Sequence, residues 1–459
     1  MEGNMYRTSK YNIYYKDYVF NTRQRSLIKA NKQLIKLLRN NKLSEIGIEQ
    51  LRILESLGFV ILSNMDELQL FEFWYRNLKY DKRVLSVTYI PGYLCNSACK
   101  YCYASSIIEN PKLDSKIPLS EEVFLNWLER MVAFGRPLKL DFSFHGGEPL
   151  VYKNKLLSIA RAVNEIGEKY KVEVKISIVT NGTLLNLKTL LQLREVGISN
   201  FLITLDGPNK IHNFRRPLKK NLDSFNIIIN NISNALDQGV DIFMSQNVDS
   251  HNKEYVKELL DLFFQKGFYN YRNFHYVIAA VKYGPDYESL PYFDEVSPLS
   301  QQEYAKIKLE AYKNALEMGF NIALPIGTGI CSLKQINTFI VDVYGDVYKC
   351  VTLTGHEDAK LGRVDEPVEV LYQRSVFFDS MEPWKDNEKC LKCKYLPLCH
   401  GGCMQQAKIA FPEHPMGTKV NCIEDYLNTL FPEVIEIIHT YWRNIRHHDD
   451  SISNFVDSL

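Results

Sequence analysis

The chain has 459 residues, longer than one ordinary domain and long enough to bury a substantial core. Its 55 Lys and Arg against 54 Asp and Glu leave a formal charge of +1, which provides no electrostatic footprint for nucleic acid or an anionic membrane. No run of about 18 apolar residues is present to cross a bilayer, and the opening MEGNMYRTSKYNIYY lacks the apolar core of a signal peptide, so the chain reads as cytoplasmic. In that reducing compartment its ten cysteines point to metal or redox chemistry rather than to disulfides.

Residues 1–80 read as a separate module. The alternation in YNIYYKDYVF predicts a hairpin, and a short helix comes next at Leu34 to Arg39. A second, amphipathic helix carries Leu51, Leu54 and Leu57, and Gly58 ends it before the strand-like FVIL. Strands followed by small helices and another strand resemble a winged-helix module; an ordinary cap over the next domain is the alternative.

From about 84 to 280, apolar strand-like runs alternate with amphipathic helical runs, the pattern of a parallel α/β sheet. Strands are expected at 84–90, 138–144, 174–180, 200–206, 241–248 and 273–280, separated by helices such as 154–170 and 224–239. Six units fall short of the eight that close a barrel, so the fold class is α/β, a partial (β/α)6 TIM barrel. Chemistry on such a sheet belongs at the carboxyl ends of the strands. Residues 282–300, rich in Pro, Tyr and Asp, read as a loop over a cleft or a linker. A helix after Gln302 leads into a second cysteine-rich region, and the tail beyond about Arg446 is polar and expected to fray. The expected division is a recognition module at 1–80, the barrel at 81–300, a cysteine-rich domain at 301–430, and a helix and tail at 431–459.

Immediately after the first strand, CNSACKYC places Cys95, Cys99 and Cys102 within eight residues. Soft thiolates this close share a metal site, and a closed structural zinc site would want a fourth ligand, for which no His stands nearby. A 4Fe-4S cube held by three cysteines instead leaves one iron open to a small molecule. CNSACKYC at the end of a first barrel strand resembles the CxxxCxxC signature of the radical SAM superfamily. The resemblance implies that S-adenosylmethionine (SAM) chelates the open iron and that one electron cleaves it to methionine and a 5′-deoxyadenosyl radical.

Further segments resemble the family's SAM contacts, in order along the chain. HGGEP supplies Gly146, Gly147 and Glu148 for the methionine amine, and glycines allow close backbone approach. TNGT supplies Thr180 and Asn181, and TLDGPNKIHNFRR supplies Thr204, Asp206 and Arg216, whose forked donors suit a carboxylate. Asn247 belongs to a further family segment, NVD, although an arginine common two residues earlier is Ser245 here. Tyr101, inside the cysteine loop, completes the cofactor-binding set. His145 and His212 lie within these motifs and are expected to satisfy local hydrogen bonds.

The other seven cysteines are Cys331, Cys350, Cys390, Cys393, Cys399, Cys403 and Cys422. A zinc ribbon is one reading of CxxC pairs. The full spacing, with Gly345 five residues before Cys350, resembles the seven-cysteine SPASM domain. That resemblance implies two auxiliary iron-sulfur clusters of the 4Fe-4S kind. Cys390, Cys393, Cys399 and Cys422 would hold the outer one, and Cys331, Cys350 and Cys403 the inner one, which is then one ligand short and open to another group.

The SPASM resemblance also implies a peptide substrate. Its implied activity is that of a ribosomal-peptide (RiPP) maturase such as the sactipeptide and ranthipeptide thioether-forming enzymes, with hydrogen abstraction followed by a thioether or carbon-carbon crosslink. Implied partners are a precursor peptide bound by its leader through the N-terminal module and a reductant such as flavodoxin or ferredoxin. Two other readings are formylglycine formation in a sulfatase and dehydrogenation of a small molecule. Sulfatase maturases carry an acidic base directly after the cysteine equivalent to Cys350, where this chain has Val351. No catalytic base can be named from the sequence.

Overall fold

The structure, a computed structural model, describes residues 5–108, 117–220, 222–284, 296–322, 330–445 and 454–456. The N-terminal module begins with β1 (Tyr6–Thr8) and the expected hairpin of β2 (Asn12–Tyr15) and β3 (Tyr18–Asn21), to which β4 (Ser26–Lys29) adds a third antiparallel strand. Helix Lys32–Arg39 comes next, capped by the Asn31 side chain on the Leu34 N–H, and then helix Ile48–Ser56. Gly58 takes φ +82°, the left-handed turn that ends the second helix before β5 (Val60–Leu62), which pairs antiparallel with β1.

The central sheet contains β6 (Val84–Tyr89), β7 (Lys139–Phe144), β8 (Glu173–Thr180), β9 (Ile198–Thr204), β10 (Asp241–Val248) and β11 (Phe274–Ala280), adjacent in order and all parallel. These are the six expected strands. In β7, Leu140, Phe142 and Phe144 are buried while Lys139, Asp141 and Ser143 are not, the two-residue period of a sheet with unlike faces. Helices Glu121–Gly135, Lys153–Tyr170 and Ser224–Asp237 cover the apolar face with residues such as Trp127, Ile159 and Ile232. The other face, with Thr88, Ser143, Ser177 and Leu202, lines an open trough inside the incomplete barrel.

Register brings the strand ends level. Tyr89 pairs with Phe144, Phe144 with Ile178, Thr180 with Ile203 and Thr204 with Ser245, so the segments that come after these strands gather at one edge. Two additions extend the sheet. β12 (Asn321–Ile322) runs parallel to β11, and β13 (Thr338–Val341) runs parallel to β6, followed by antiparallel β14 (Asp346–Tyr348) and β15 (Lys360–Arg363). The cysteine-rich region is therefore built partly onto the barrel's own sheet. Most of the 282–300 loop lies outside the described residues.

The N-terminal module packs against the cysteine-rich part of the chain. Helix Glu67–Lys79 sets Phe71 and Tyr75 on Trp384 and His400, and Phe20 of β3 meets Phe431 of the long helix Glu424–Ile445. Lys79 and Glu382, with only 2% and 9% of their side chains exposed, form an ion pair at 2.5 Å across this interface. The tail expected to fray lies outside the described residues except for β16 (Asn454–Val456), which runs parallel to β4 at the edge of the N-terminal sheet.

Substituting Lys79 by Ala would take one of two ammonium partners from the largely buried Glu382 carboxylate and leave it with Lys385, a loss of about 1–3 kcal/mol, the range for a hydrogen bond to a charged group. Lys79→Ala should therefore lower the thermal midpoint by several degrees, whereas Lys16→Ala, from the exposed pair with Glu436, should leave it within about a degree.

Candidate active site and cysteine centres

The loop from Cys95 to Cys102 has almost no regular structure and is held by hydrogen bonds from its neighbours. Ala98 N–H donates to Pro217 O at 2.8 Å, Lys100 N–H to Arg215 O at 3.1 Å, and Lys219 N–H to Asn96 O at 2.9 Å. From the end of β8, the Asn181 amide donates to Asn96 Oδ1 at 2.8 Å and Ser97 Oγ at 3.3 Å, while Asn96 donates to Thr183 Oγ1 at 2.9 Å. Asn181 is thus a strut of the cysteine loop as well as part of the cavity wall.

Tyr101 is the loop's main anchor. Its hydroxyl donates to Asp206 Oδ1 at 2.7 Å and accepts from Arg216 at 2.8 Å and from Asn247 at 3.2 Å. One oxygen therefore ties the loop to the ends of β9 and β10. Asp206 also accepts from Arg215 Nε at 3.0 Å, and Arg215 reaches Asp249 at 3.0 Å. Burial pushes the Asp206 carboxyl up, and the two guanidinium groups oppose that shift. Ser245, two residues before Asn247, donates its hydroxyl to Asn247 Oδ1 at 3.1 Å.

The two glycines of HGGEP are required by close approach of the chain to itself. At Gly146, with φ +129°, a Cβ would stand 2.7 Å from Gly92 O; at Gly147 it would stand 2.4 Å from both Tyr93 O and Leu94 O. Glu148 is fully buried and accepts from the Leu150 and Asn181 N–H groups and from the Thr180 hydroxyl. It joins the ends of β7 and β8. His145 Nδ1 accepts from Gly146 N–H at 2.8 Å, which leaves the proton on Nε2, and the Tyr103 hydroxyl lies 3.1 Å from the same nitrogen. Burial lowers its pKa to about 4, so the ring is neutral at pH 7. His212 Nδ1 accepts from Asp206 N–H at 3.2 Å.

These elements enclose a cavity of roughly 510 Å3, within the ~300–1,000 Å3 span of small-molecule sites. Cys95, Cys99, Cys102, Tyr101, Gly146, Gly147, Thr180, Asn181, Thr204, Arg216 and Asn247 all line it. Glu148 and Asp206 stand behind its wall and hold those residues in place. Three thiols at one end of a cavity with backbone and amide donors fit a three-cysteine cluster and its ligand. Cys95, Cys99 and Cys102 would hold the iron, and the bound group would supply one-electron chemistry.

Cys390, Cys393, Cys399 and Cys422 border a second, smaller cavity on the C-terminal side. Cys331, Cys350 and Cys403 form the third group, in which each sulfur lies within the electrostatic reach of the others. Burial pushes the thiols of Cys331, Cys390 and Cys399 up to about 11 and that of Cys99 to about 12, so a metal taken up there would have to displace their protons. Sequence reasoning missed Lys334, fully buried between the two C-terminal groups and donating to His400 O at 2.5 Å. It also missed Arg215 and Tyr103, the latter facing both Cys102 and Cys350.

With this geometry in place, comparison identifies its class. The family model for the radical SAM superfamily matches residues 89–263, the span that carries the first cysteine loop and strands β7 to β10. That span of the chain is similar to the radical SAM domain. Among curated relatives, the cysteine-type anaerobic sulfatase-maturating enzyme of Clostridium perfringens is 24% identical over 75% of this chain and 95% of its own length. Among solved structures, native anSMEcpe with bound AdoMet and Kp18Cys peptide aligns with a TM-score of 0.61 at 20% identity, covering 78% of this chain and 99% of that one. Streptococcus suis SuiB bound to precursor peptide SuiA aligns with a TM-score of 0.54 at 14% identity, covering 91% and 99%.

Tyr101→Phe leaves Asp206, Arg216 and Asn247 each short of one hydrogen bond, a loss of about 1–3 kcal/mol per buried group. The variant should keep its iron content but weaken SAM binding at least tenfold, as read by equilibrium dialysis. Gly147→Ala should do worse and lose iron, because its Cβ meets two carbonyl oxygens that have no room to retreat.

Proposed function

We propose that this chain is a peptide maturase that crosslinks a ribosomally made precursor peptide. When bound, the first cluster and SAM supply the 5′-deoxyadenosyl radical. The chain's own residues fix the target carbon beside that radical and keep water out. Abstraction removes one hydrogen atom from an unactivated carbon. Closing a thioether or carbon-carbon bond then releases one proton and one electron, and clusters held by Cys331, Cys350 and Cys403 and by Cys390, Cys393, Cys399 and Cys422 would be the acceptor of that electron. Flavodoxin or ferredoxin would return electrons to the first cluster.

One observation carries this reading. Tyr103, Cys102, Tyr344 and Val351 share one apolar cluster, so the group containing Cys350 stands beside the radical-generating cavity. An electron acceptor there lies where a substrate radical would form. Among the described residues no three His, Cys, Asp or Glu side chains converge closely enough to clasp a single ion. Relatives named for peptide complexes and for sulfatase maturation support a polypeptide substrate.

Formylglycine formation is the second reading, favoured by the Clostridium perfringens relative. Val351 counts against it, since no carboxylate stands directly after Cys350 to act as base.

The deciding experiment is anaerobic reconstitution with SAM, dithionite and a precursor peptide encoded beside the gene. Expected are 5′-deoxyadenosine and a peptide lighter by two hydrogen atoms per crosslink. Cys350→Ala should still release 5′-deoxyadenosine but yield little crosslinked peptide. Conversion of a sulfatase-derived peptide to formylglycine, with the precursor left untouched, would select the second reading. Lys334→Met should make the C-terminal clusters harder to reduce, because it removes a buried amine that faces Cys331 and Cys399; a potentiometric titration monitored by electron paramagnetic resonance reads this shift.

A further inference from the structure

The first cysteine loop shares one side with the segment that follows helix Asn209–Arg215. Ser97 bridges Leu218, and the Ala98 and Lys100 N–H groups donate to Pro217 O and Arg215 O. Residues 94–105 and 208–220 together hold Lys100, Lys210, Arg215, Arg216, Lys219 and Lys220 and no Asp or Glu. Arg215 is engaged by Asp206 and Asp249, and Arg216 lines the cavity. Lys210, Lys219 and Lys220 are exposed and Lys100 is half-buried. The nearest carboxylate along the chain, Asp223, already accepts from the amides of Asn209, Asn213 and Asn226.

Apolar surface lies open among these lysines. Phe214 and Leu94 are each 64% exposed, and Leu222 is 54% exposed. Lys210 and Phe214 stand one helical turn apart and share a face, and the Lys100 ammonium sits 3.3 Å from the centre of the Phe214 ring. An open aromatic side chain among cations suits a protein partner: the ring supplies burial on contact, and the cations select an acidic surface. The outer cysteine group is surrounded differently. Lys389 and Lys392, which flank Cys390 and Cys393 in sequence, pair with Glu424 at 2.7 Å and Glu388 at 3.5 Å, so they leave little net charge to steer a partner.

We propose that the face formed by Lys100, Lys210, Phe214, Lys219 and Lys220 docks an acidic one-electron carrier protein, which delivers its electron at the first cysteine loop and not at the outer cysteine group. Lys100 follows Cys99 and Leu94 precedes Cys95, so a carrier seated here touches residues adjacent to two of the three thiols. The carrier leaves oxidised by one electron, and the cluster held at that loop is reduced by the same electron. No bond is made or broken in this step, and no proton moves. That an electron is needed at this loop rests on the radical-generating role proposed for it. That the face suits an acidic protein does not.

The test uses the reconstituted full chain, with flavodoxin as the acidic carrier. Oxidised flavodoxin, followed by the anisotropy of its flavin fluorescence, should bind the wild-type chain at low salt. Binding should weaken at least tenfold in 1 M salt, where the Debye length is about 3 Å. Lys210→Glu/Lys220→Glu should weaken it at least tenfold at low salt, and Phe214→Ala several-fold, with iron content unchanged in both. Both variants should release 5′-deoxyadenosine at the wild-type rate with dithionite, a small reductant that needs no docking face, but more slowly with reduced flavodoxin. Lys389→Glu/Lys392→Glu should alter neither binding nor rate. Wild-type affinity for flavodoxin in Lys210→Glu/Lys220→Glu, or loss of affinity in Lys389→Glu/Lys392→Glu, would overturn the proposal. So would intact flavodoxin binding with loss of precursor-peptide binding in Lys210→Glu/Lys220→Glu, which would assign the face to an acidic peptide. Absence of 5′-deoxyadenosine from the wild-type chain with dithionite would count against the radical-generating role alone, because the titration with oxidised flavodoxin needs no turnover.

Discussion

A short loop that must hold three thiols apart and facing one cavity, with almost no backbone ladder of its own, is the constraint on which the rest of the structure depends. Its positions are borrowed from elsewhere. The 215–219 segment pairs with its backbone, Asn181 braces its middle, and the Tyr101 hydroxyl joins it to the ends of β9 and β10. Each support comes from a different strand end, so the loop keeps its shape only while the parallel sheet keeps its register. Binding a ligand in the cavity then requires little rearrangement, because the polar groups that face it are already fixed by partners behind the wall.

Burial sets the electrostatics of this arrangement. Asp206 and Glu148 are carboxyls with no exposed surface, and each is tolerated because it is surrounded by donors: Tyr101 and Arg215 for the first, Thr180 and two backbone N–H groups for the second. His145 is kept neutral by the same burial. On the C-terminal side Lys334 is the buried cation facing two cysteine groups, where it would offset the charge that thiolate-bound iron brings. The N-terminal module packs on this same C-terminal side through Phe71, Tyr75 and the Lys79–Glu382 pair. The three parts of the chain thus share buried polar contacts as well as apolar ones.

Much of the site was legible because each motif stands directly after a strand, and a parallel sheet brings the carboxyl ends of its strands to one edge. The task of each motif residue was less legible. Glu148 and Asp206 carry the right spacing for cofactor contact, yet the structure spends both on bracing neighbours. Arg215 and Arg216 are adjacent in sequence; the short helix Asn209–Arg215 ends between them, so one turns to Asp206 and Asp249 while the other lines the cavity. The glycines of HGGEP were read for the ligand's benefit, and the oxygens their Cβ atoms would meet first belong to residues 92–94. Nothing local to Asn454–Val456 announces a strand, since its only ladder partner among the described residues lies more than four hundred residues away.

By itself the sequence determined the six-strand pattern, the three-plus-seven division of the cysteines and the order of the motifs, because periodicity and spacing are properties of the chain alone. Tertiary structure alone decided which carboxylates face the cavity and which stand behind it, where Lys334 sits between the C-terminal cysteine groups, and what covers the edge of β4. Those outcomes depend on which groups lose their water and which find a partner from a distant part of the chain, and no local spacing encodes either.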